Sequence, residues 1–255
     1  MAGPDTTPRP ASGLDDPSRS AELKRIIQGK PALRRLYQET YERYARCLLR
    51  CPADGLAVEL GSGGGFVKDV LPEVVTSDVI AYPDVDRVVD GTRMPFADGS
   101  VRALFLQNVL HHIPDVAAFL REAQRVLRPG GRVLIVDQYP GWIGKCVYQH
   151  LHHEPFDDRA PEWRFPSKGP LSDANGALAW IVFERDRARF EREFPRLRLA
   201  AFDRHTPLRY WLAGGLKRWS LLPGALFGIA TWFDRALLRS SPRWGSFVDI
   251  ELVRE

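Results

Sequence analysis

The chain has 255 residues, of which 44% are hydrophobic and 27% charged, a length and composition that allow a full core and set it among soluble globular proteins. Its three cysteines, Cys47, Cys51 and Cys146, are odd in number and lack the spacing of a zinc or redox motif, so no disulfide framework is expected and a reducing cytoplasm is. The net charge of +4 is unevenly spread: residues 1–140 hold 18 basic and 18 acidic side chains, and residues 141–255 hold 18 and 14. In chain order, residues 1–20 are rich in Pro, Ser, Gly and Asp with no apolar run, which predicts a disordered tail rather than a signal peptide. Residues 23–49 carry Leu33, Leu36, Tyr37, Tyr41 and Tyr44 at helical spacing, predicting one or two helices that could cap a pocket. Strand-like runs follow at 56–60, 74–76, 87–89, 101–107 and 132–137, with an amphipathic helix at 116–127. Strands alternating with helices imply an α/β protein with a mostly parallel sheet covered on both faces.

The first strand, Ala57-Val58-Glu59-Leu60, runs into Gly61-Ser62-Gly63-Gly64-Gly65. Glycine is needed where backbone takes a positive φ or lies against a ligand, and such a turn suits a cofactor that carries a nucleoside. Dinucleotide-binding folds use the same device, so the turn alone does not separate the two. A carboxylate at the end of an apolar strand is costly to bury unpaired, so Glu59 implies a polar ligand nearby.

Three further motifs stand in order behind it: Asp90-Gly91-Thr92-Arg93-Met94-Pro95-Phe96, Asn108-Val109-Leu110-His111-His112-Ile113-Pro114-Asp115 and Leu127-Arg128-Pro129-Gly130-Gly131. Together they resemble a class I S-adenosylmethionine (SAM)-dependent methyltransferase, in the branch that includes ubiquinone- and menaquinone-type enzymes, over residues 54–140. The resemblance implies a Rossmann-like fold: a mostly parallel seven-stranded sheet, helices on both faces and an antiparallel C-terminal strand. Residues 197–203 and 247–253 then read as the last two strands, an antiparallel pair. It also implies SAM as cofactor, with Gly61, Ser62, Gly63 and Gly65 beneath its methionine part and Glu59 serving the amine. Asp78 would meet the ribose, Asp90 with Gly91 or Thr92 the adenine, and Gln107 and Asn108 would border the cofactor at the carboxyl edge of the sheet. Asp78 and Asp90 also suit plain turn or helix caps. Only 12 residues separate Gly65 from Asp78 and 11 separate Asp78 from Asp90, too few for the usual crossover helix, so a tight connection and a bare adenine side are expected.

Acceptor chemistry is less legible. His111 follows the fourth strand, where it either reacts or packs beneath the next helix. His150-Leu151-His152-His153-Glu154 admits three readings: a catalytic His153–Glu154 pair, a structural anchor before Pro155, or a metal held by His150, His153 and Glu154. The resemblance implies no metal. All seven tryptophans fall between Trp142 and Trp244, which points to a large apolar surface or pocket in the second half. Within it, residues 221–233 are 13 uncharged residues, short of the roughly 18 to 20 that span a bilayer. Residues 204–243 carry seven basic residues against the single acid Asp234, which suits either an interfacial helix at a membrane surface or a core-facing lid. The domain plan is a tail at 1–20, helices at 21–53, a SAM core at 54–140, substrate-recognition insertions at 141–245 and a last strand at 246–255. The expected activity is methyl transfer to oxygen of a small apolar or lipid-like acceptor. Alternatives are a quinone-type C-methyltransferase, a non-catalytic SAM-binding scaffold and an RNA-modifying protein, nucleic acid being disfavoured by the modest charge. Oligomeric state is not read from the sequence.

Overall fold

The computed structural model describes residues 16, 19–151, 154–167, 169 and 173–255. Two helices precede the sheet, α1 (Arg19–Gly29) and α2 (Pro31–Leu48), broken at Lys30 because Pro31 can start a helix but cannot continue one. The strands are β1 (Leu56–Leu60), β2 (Val74–Asp78), β3 (Arg87–Val88), β4 (Val101–Gln107), β5 (Leu127–Gln138), β6 (Leu197–His205) and β7 (Phe247–Arg254). They form one sheet in the order β3-β2-β1-β4-β5-β7-β6, in which only β7 runs against its neighbours. That is the arrangement the resemblance implies.

The central strands are apolar on both faces, as strands covered on both sides must be. In β4, Leu104 and Leu106 enter one core with Val58, Leu60, Val133, Ile135, Phe119 and Leu120, while Ala103 and Phe105 enter the other with Leu33, Tyr41, Tyr44, Leu134 and Val136. Helix α3 (Val116–Val126) supplies the first layer and is capped by Asp115, whose Oδ1 accepts from the Ala118 amide at 2.8 Å. Helix α2 supplies the second, where Tyr44 stacks on Phe105 with ring centroids 4.2 Å apart.

One strand boundary shifts in detail. The fifth strand, expected at 132–137, begins at Leu127 and takes in Pro129–Gly131: Leu127 pairs with Val101, the register slips, and pairing resumes at Arg132 with Ala103. As expected, no helix joins β2 to β3. Asp86 closes that short path, accepting from the Thr76 amide at 2.9 Å and the Thr76 hydroxyl at 3.0 Å.

Beyond β5 the chain adds α4 (Trp142–His150), the short turn α5 (Leu178–Trp180) widening into a π-helical turn at Ile181–Arg185, α6 (Arg187–Glu193), α7 (Arg209–Leu212) and α8 (Phe227–Ser240). The charged segment at 185–194 is solvated on much of its surface, but Phe190 is fully buried in the α3 layer. Among the described residues no helix is long and apolar enough to cross a membrane.

Candidate active site

One cavity of about 860 Å³ opens at the carboxyl edge of the sheet, where β1, β2 and β4 deliver their terminal polar residues. Glu59, Gly61, Ser62, Gly63, Gly65, Asp78, Asp90, Gly91, Gln107, Asn108, His111 and Glu154 all line it. Thr92 stands off this wall, its amide and hydroxyl both donating to Asp90 Oδ1 at 2.7 Å. His153 lies outside the described residues.

The glycine turn is shaped by close approach as well as by φ. Gly61 has φ +68°, and a Cβ there would stand 2.3 Å from Val109 Cγ2. Gly63 has φ +48°, and a Cβ there would meet nothing within 4 Å, so this part of the turn faces open space. Helix α2 supports the turn from below, the Phe66 amide donating to the Tyr41 hydroxyl at 3.0 Å. Asn108 turns the chain out of β4 with φ 56°, a left-handed conformation that Asn tolerates better than most residues.

Two buried acceptors on this wall have no partner among the described residues: Glu59 Oε2 and Gln107 Oε1. Burial pushes the Glu59 carboxyl up to about 7, with the nearby Asp78 charge adding to the rise and the hydroxyls of Ser62 and Tyr44 opposing it. A cationic amine would restore its charge, so the residue fits the methionine end of SAM. Burial also raises the Asp78 carboxyl, opposed by the amides of Ile80 and Gly63. Those amides donate at 3.1 and 3.0 Å, so Asp78 ties the end of β2 to the glycine turn while bordering the cavity. Asp90 is exposed and caps the Thr92 turn.

At the far side the structure assembles a group that no single stretch of sequence displays. His111, in the 3-10 turn Leu110–His112, places Nδ1 2.6 Å from Asp137 Oδ1, both side chains being fully buried. Its Nε2 lies 3.4 Å from Glu154 Oε2, and His112 Nε2 lies 3.6 Å from Glu154 Oε1. Gln138 donates to Glu154 Oε2 at 3.1 Å. Burial pulls the His111 imidazole down, but the Asp137 and Glu154 carboxylates outweigh it and hold it up to about 10. Burial likewise raises Glu154, and its bonds to the two histidines reverse this and hold it well below the ordinary carboxylate range.

The metal grouping suggested by the histidine run is not what the described residues form: His150 is exposed at the end of α4, and Glu154 faces His111 and His112 instead. Sequence reading missed Asp137 and Gln138, although an acid closing an apolar strand repeats the signal that singled out Glu59. Asn175 is structural, its amide group spanning Asp157 and Ala177. The remaining wall comes from Leu23, Ile27, Tyr37 and Tyr41 of the first two helices and from Tyr148, Leu151, Tyr210, Trp211, Trp219 and Phe247.

Residues 58–135 match the family described as a methyltransferase domain. Over 80 residues, 31% of this chain and 32% of the relative, the sequence is 34% identical to the ubiquinone/menaquinone biosynthesis C-methyltransferase UbiE of Desulfotalea psychrophila. It is 30% identical to an arsenite methyltransferase of Aquipseudomonas alcaligenes, over 59% of this chain and 58% of that one. The chain therefore spans about a third of the first of these curated relatives and under three fifths of the second. The geranyl diphosphate C-methyltransferase of Streptomyces coelicolor A3(2), a crystal structure with Mg2+, geranyl diphosphate and S-adenosyl-L-homocysteine, superimposes with a TM-score of 0.54. The match is 19% identical and covers 94% of this chain and 86% of that one, a likeness of fold.

Proposed function

Because the chain carries a class I SAM-dependent methyltransferase domain, we propose that it transfers the methyl group of SAM to an oxygen of a small, apolar acceptor. The observation that carries this reading is the shared cavity, in which the glycine turn and the unpartnered Glu59 and Gln107 oxygens join walls with a largely apolar, aromatic chamber. Bound SAM supplies an electrophilic methyl on a sulfonium. The protein's part is to hold the acceptor in line with that methyl and to exclude water, which accounts for much of the acceleration of a displacement. Glu59 takes the amine, Asp78 and the turn support the sugar, and Tyr148, Leu151, Trp211 and Trp219 hold the apolar body of the acceptor. A hydroxyl acceptor must also lose a proton, and His111, His112 and Glu154 are the polar groups placed in the chamber wall to handle it.

The mouth of the chamber supports a lipid-like acceptor met at a membrane surface. Trp219, Leu221, Leu226, Ile229, Trp232 and Phe233 are exposed around it and along α8. Asp234, the single acid of 204–243, is buried and bonded to Arg209 at 2.8 Å, so the exposed charges of this segment are Lys217, Arg218, Arg235, Arg239 and Arg243. Apolar rings bordered by these cations, of which Arg218 pairs with Glu22 at 3.0 Å, suit an anionic interface.

A second reading, methylation at carbon of a quinone-like ring, is favoured by the identity to the UbiE relative. Incubating the protein with methyl-labelled SAM and cell extracts, then identifying labelled products by mass spectrometry, separates the two. A labelled ether supports the proposal, a labelled ring carbon supports the second reading, and no transfer despite SAM binding overturns both.

A further inference from the structure

We propose that His111, His112 and Glu154 form a binding site for one divalent transition-metal ion in the acceptor chamber. The three donors lie within 4.8 Å of one another, with His111 Nε2 3.4 Å from Glu154 Oε2 and His112 Nε2 3.6 Å from Glu154 Oε1. Two ligands that each sit about 2.1 Å from a shared ion at tetrahedral angles stand roughly 3.4 Å apart, which matches the two histidine–glutamate approaches, each made to a different Glu154 oxygen. Two imidazoles and one carboxylate, with the remaining position open, are the donor set of catalytic zinc sites.

The groups behind the donors point the same way. A carboxylate and a carbonyl can only accept, so His111 donates its Nδ1 proton to Asp137 at 2.6 Å and His112 donates its own to the Asp173 carbonyl at 3.2 Å. Both rings are thereby turned with Nε2 toward Glu154, as metal-bound histidines are held by acceptors on their distal nitrogens. Gln138 fixes the Glu154 carboxylate from the side at 3.1 Å. An ion placed between the three would have its open position facing the cavity that these residues line.

The role of such an ion rests on the methyl-transfer reading above. With the ion bound, the three side chains would act as its ligands instead of taking the proton themselves, and an acceptor hydroxyl meeting the open position would release its proton to water. Its oxygen would then form the new bond to the methyl carbon as the carbon–sulfur bond breaks and the sulfonium becomes a neutral thioether. Atoms and charge balance without an oxidant or reductant.

The test uses the full chain, freed of any affinity tag and stripped with a chelator, titrated with ZnCl2 calorimetrically and with CoCl2 by visible absorption. We expect one Zn2+ per chain and a Co2+ spectrum of low-symmetry, nitrogen- and oxygen-ligated type. Glu154→Gln and His112→Ala should each weaken Zn2+ at least tenfold while the SAM dissociation constant and the melting temperature stay near those of the parent. No stoichiometric uptake by the parent overturns the site, as does uptake unchanged in both variants. Uptake lost in a His150→Ala/His153→Ala double variant but kept in His112→Ala also overturns it, by placing the ion on the histidine run. Stoichiometric Zn2+ binding in a protein that transfers no methyl group would leave the site standing and remove the function proposed for the chain.

Discussion

On the cofactor side of the cavity, three parallel strands end side by side and each contributes its last residues: Glu59 and the glycine turn, Asp78, Gln107 and Asn108. On the acceptor side the wall is gathered from α4, the turn after it, α7 and the start of β7, elements separated by up to a hundred residues of chain. The first wall is fixed by sheet geometry and tolerates little change. The second depends on side chains meeting across loops, so it can be altered one function at a time. This contrast predicts that substitutions on the first wall lose folding and cofactor together, whereas those on the second lose turnover, metal or surface binding separately.

The severest challenge to that contrast is Gly61→Ala. Its Cβ would fall 2.3 Å from Val109 Cγ2 at φ +68°, and overpacking with left-handed strain costs about 2–4 kcal/mol. We expect a melting temperature lower by roughly 5–15 °C and SAM affinity weakened more than about 100-fold, read by thermal unfolding and calorimetry. Near-parental values for both would show that the turn is not a fixed wall.

Glu154→Gln tests the other side. Turnover should drop by about 100-fold, the scale of lost proton handling, with SAM affinity within about twofold. A parallel loss of SAM binding in this variant would mean that the two walls are not separable.

Glu59 sharpens the comparison through pH. Its carboxyl sits at about 7 in the folded chain against an ordinary 4.5, so its burial costs nothing below 4.5 and costs fully above 7. Stability of the ligand-free protein attributable to this group is therefore present in acid and lost as pH rises through 7. SAM binding runs the other way, because a bound amine requires the carboxylate. Affinity should rise about fivefold between pH 6 and pH 7, about twofold more by pH 8, and then level. Glu59→Gln should flatten that dependence and weaken binding by about tenfold or more, and a dependence retained in the variant would assign it to another group.

The mildest expected effect is at α8. Trp232 is 62% exposed, so Trp232→Glu should change stability by less than about 0.5 kcal/mol. Flotation with anionic vesicles should fall several-fold in this variant, with turnover on a detergent-soluble acceptor unchanged. Unaltered flotation would remove α8 from the membrane reading.

How far the residues alone reveal the site follows the same division. Glu59, Asp78, Gln107 and Asn108 could be named because each lies where an apolar run stops, and strand ends in an open α/β sheet converge on one edge. The missing β2–β3 helix could be counted from residue spacing. His111 was visible as a candidate, but its partner Asp137 was not, because 26 residues and a whole helix separate them and only strand pairing of β4 with β5 brings them together. Glu154 was read with His150 and His153 from spacing along the chain, whereas among the described residues α4 ends at His150 and the carboxylate lies beside His111 and His112.

Local periodicity, glycine placement and the acids closing apolar strands located the strands and the order of motifs, and the resemblance they carry implied the sheet, because those features depend on near neighbours. Only the tertiary structure decided that two histidines after β4, an acid of β5 and a glutamate beyond α4 share one buried cluster. It also placed Asp234 inside, which leaves Arg235 and Arg239 as the exposed charges of α8. Such juxtapositions are set by packing between distant segments, and no interval in the sequence encodes them.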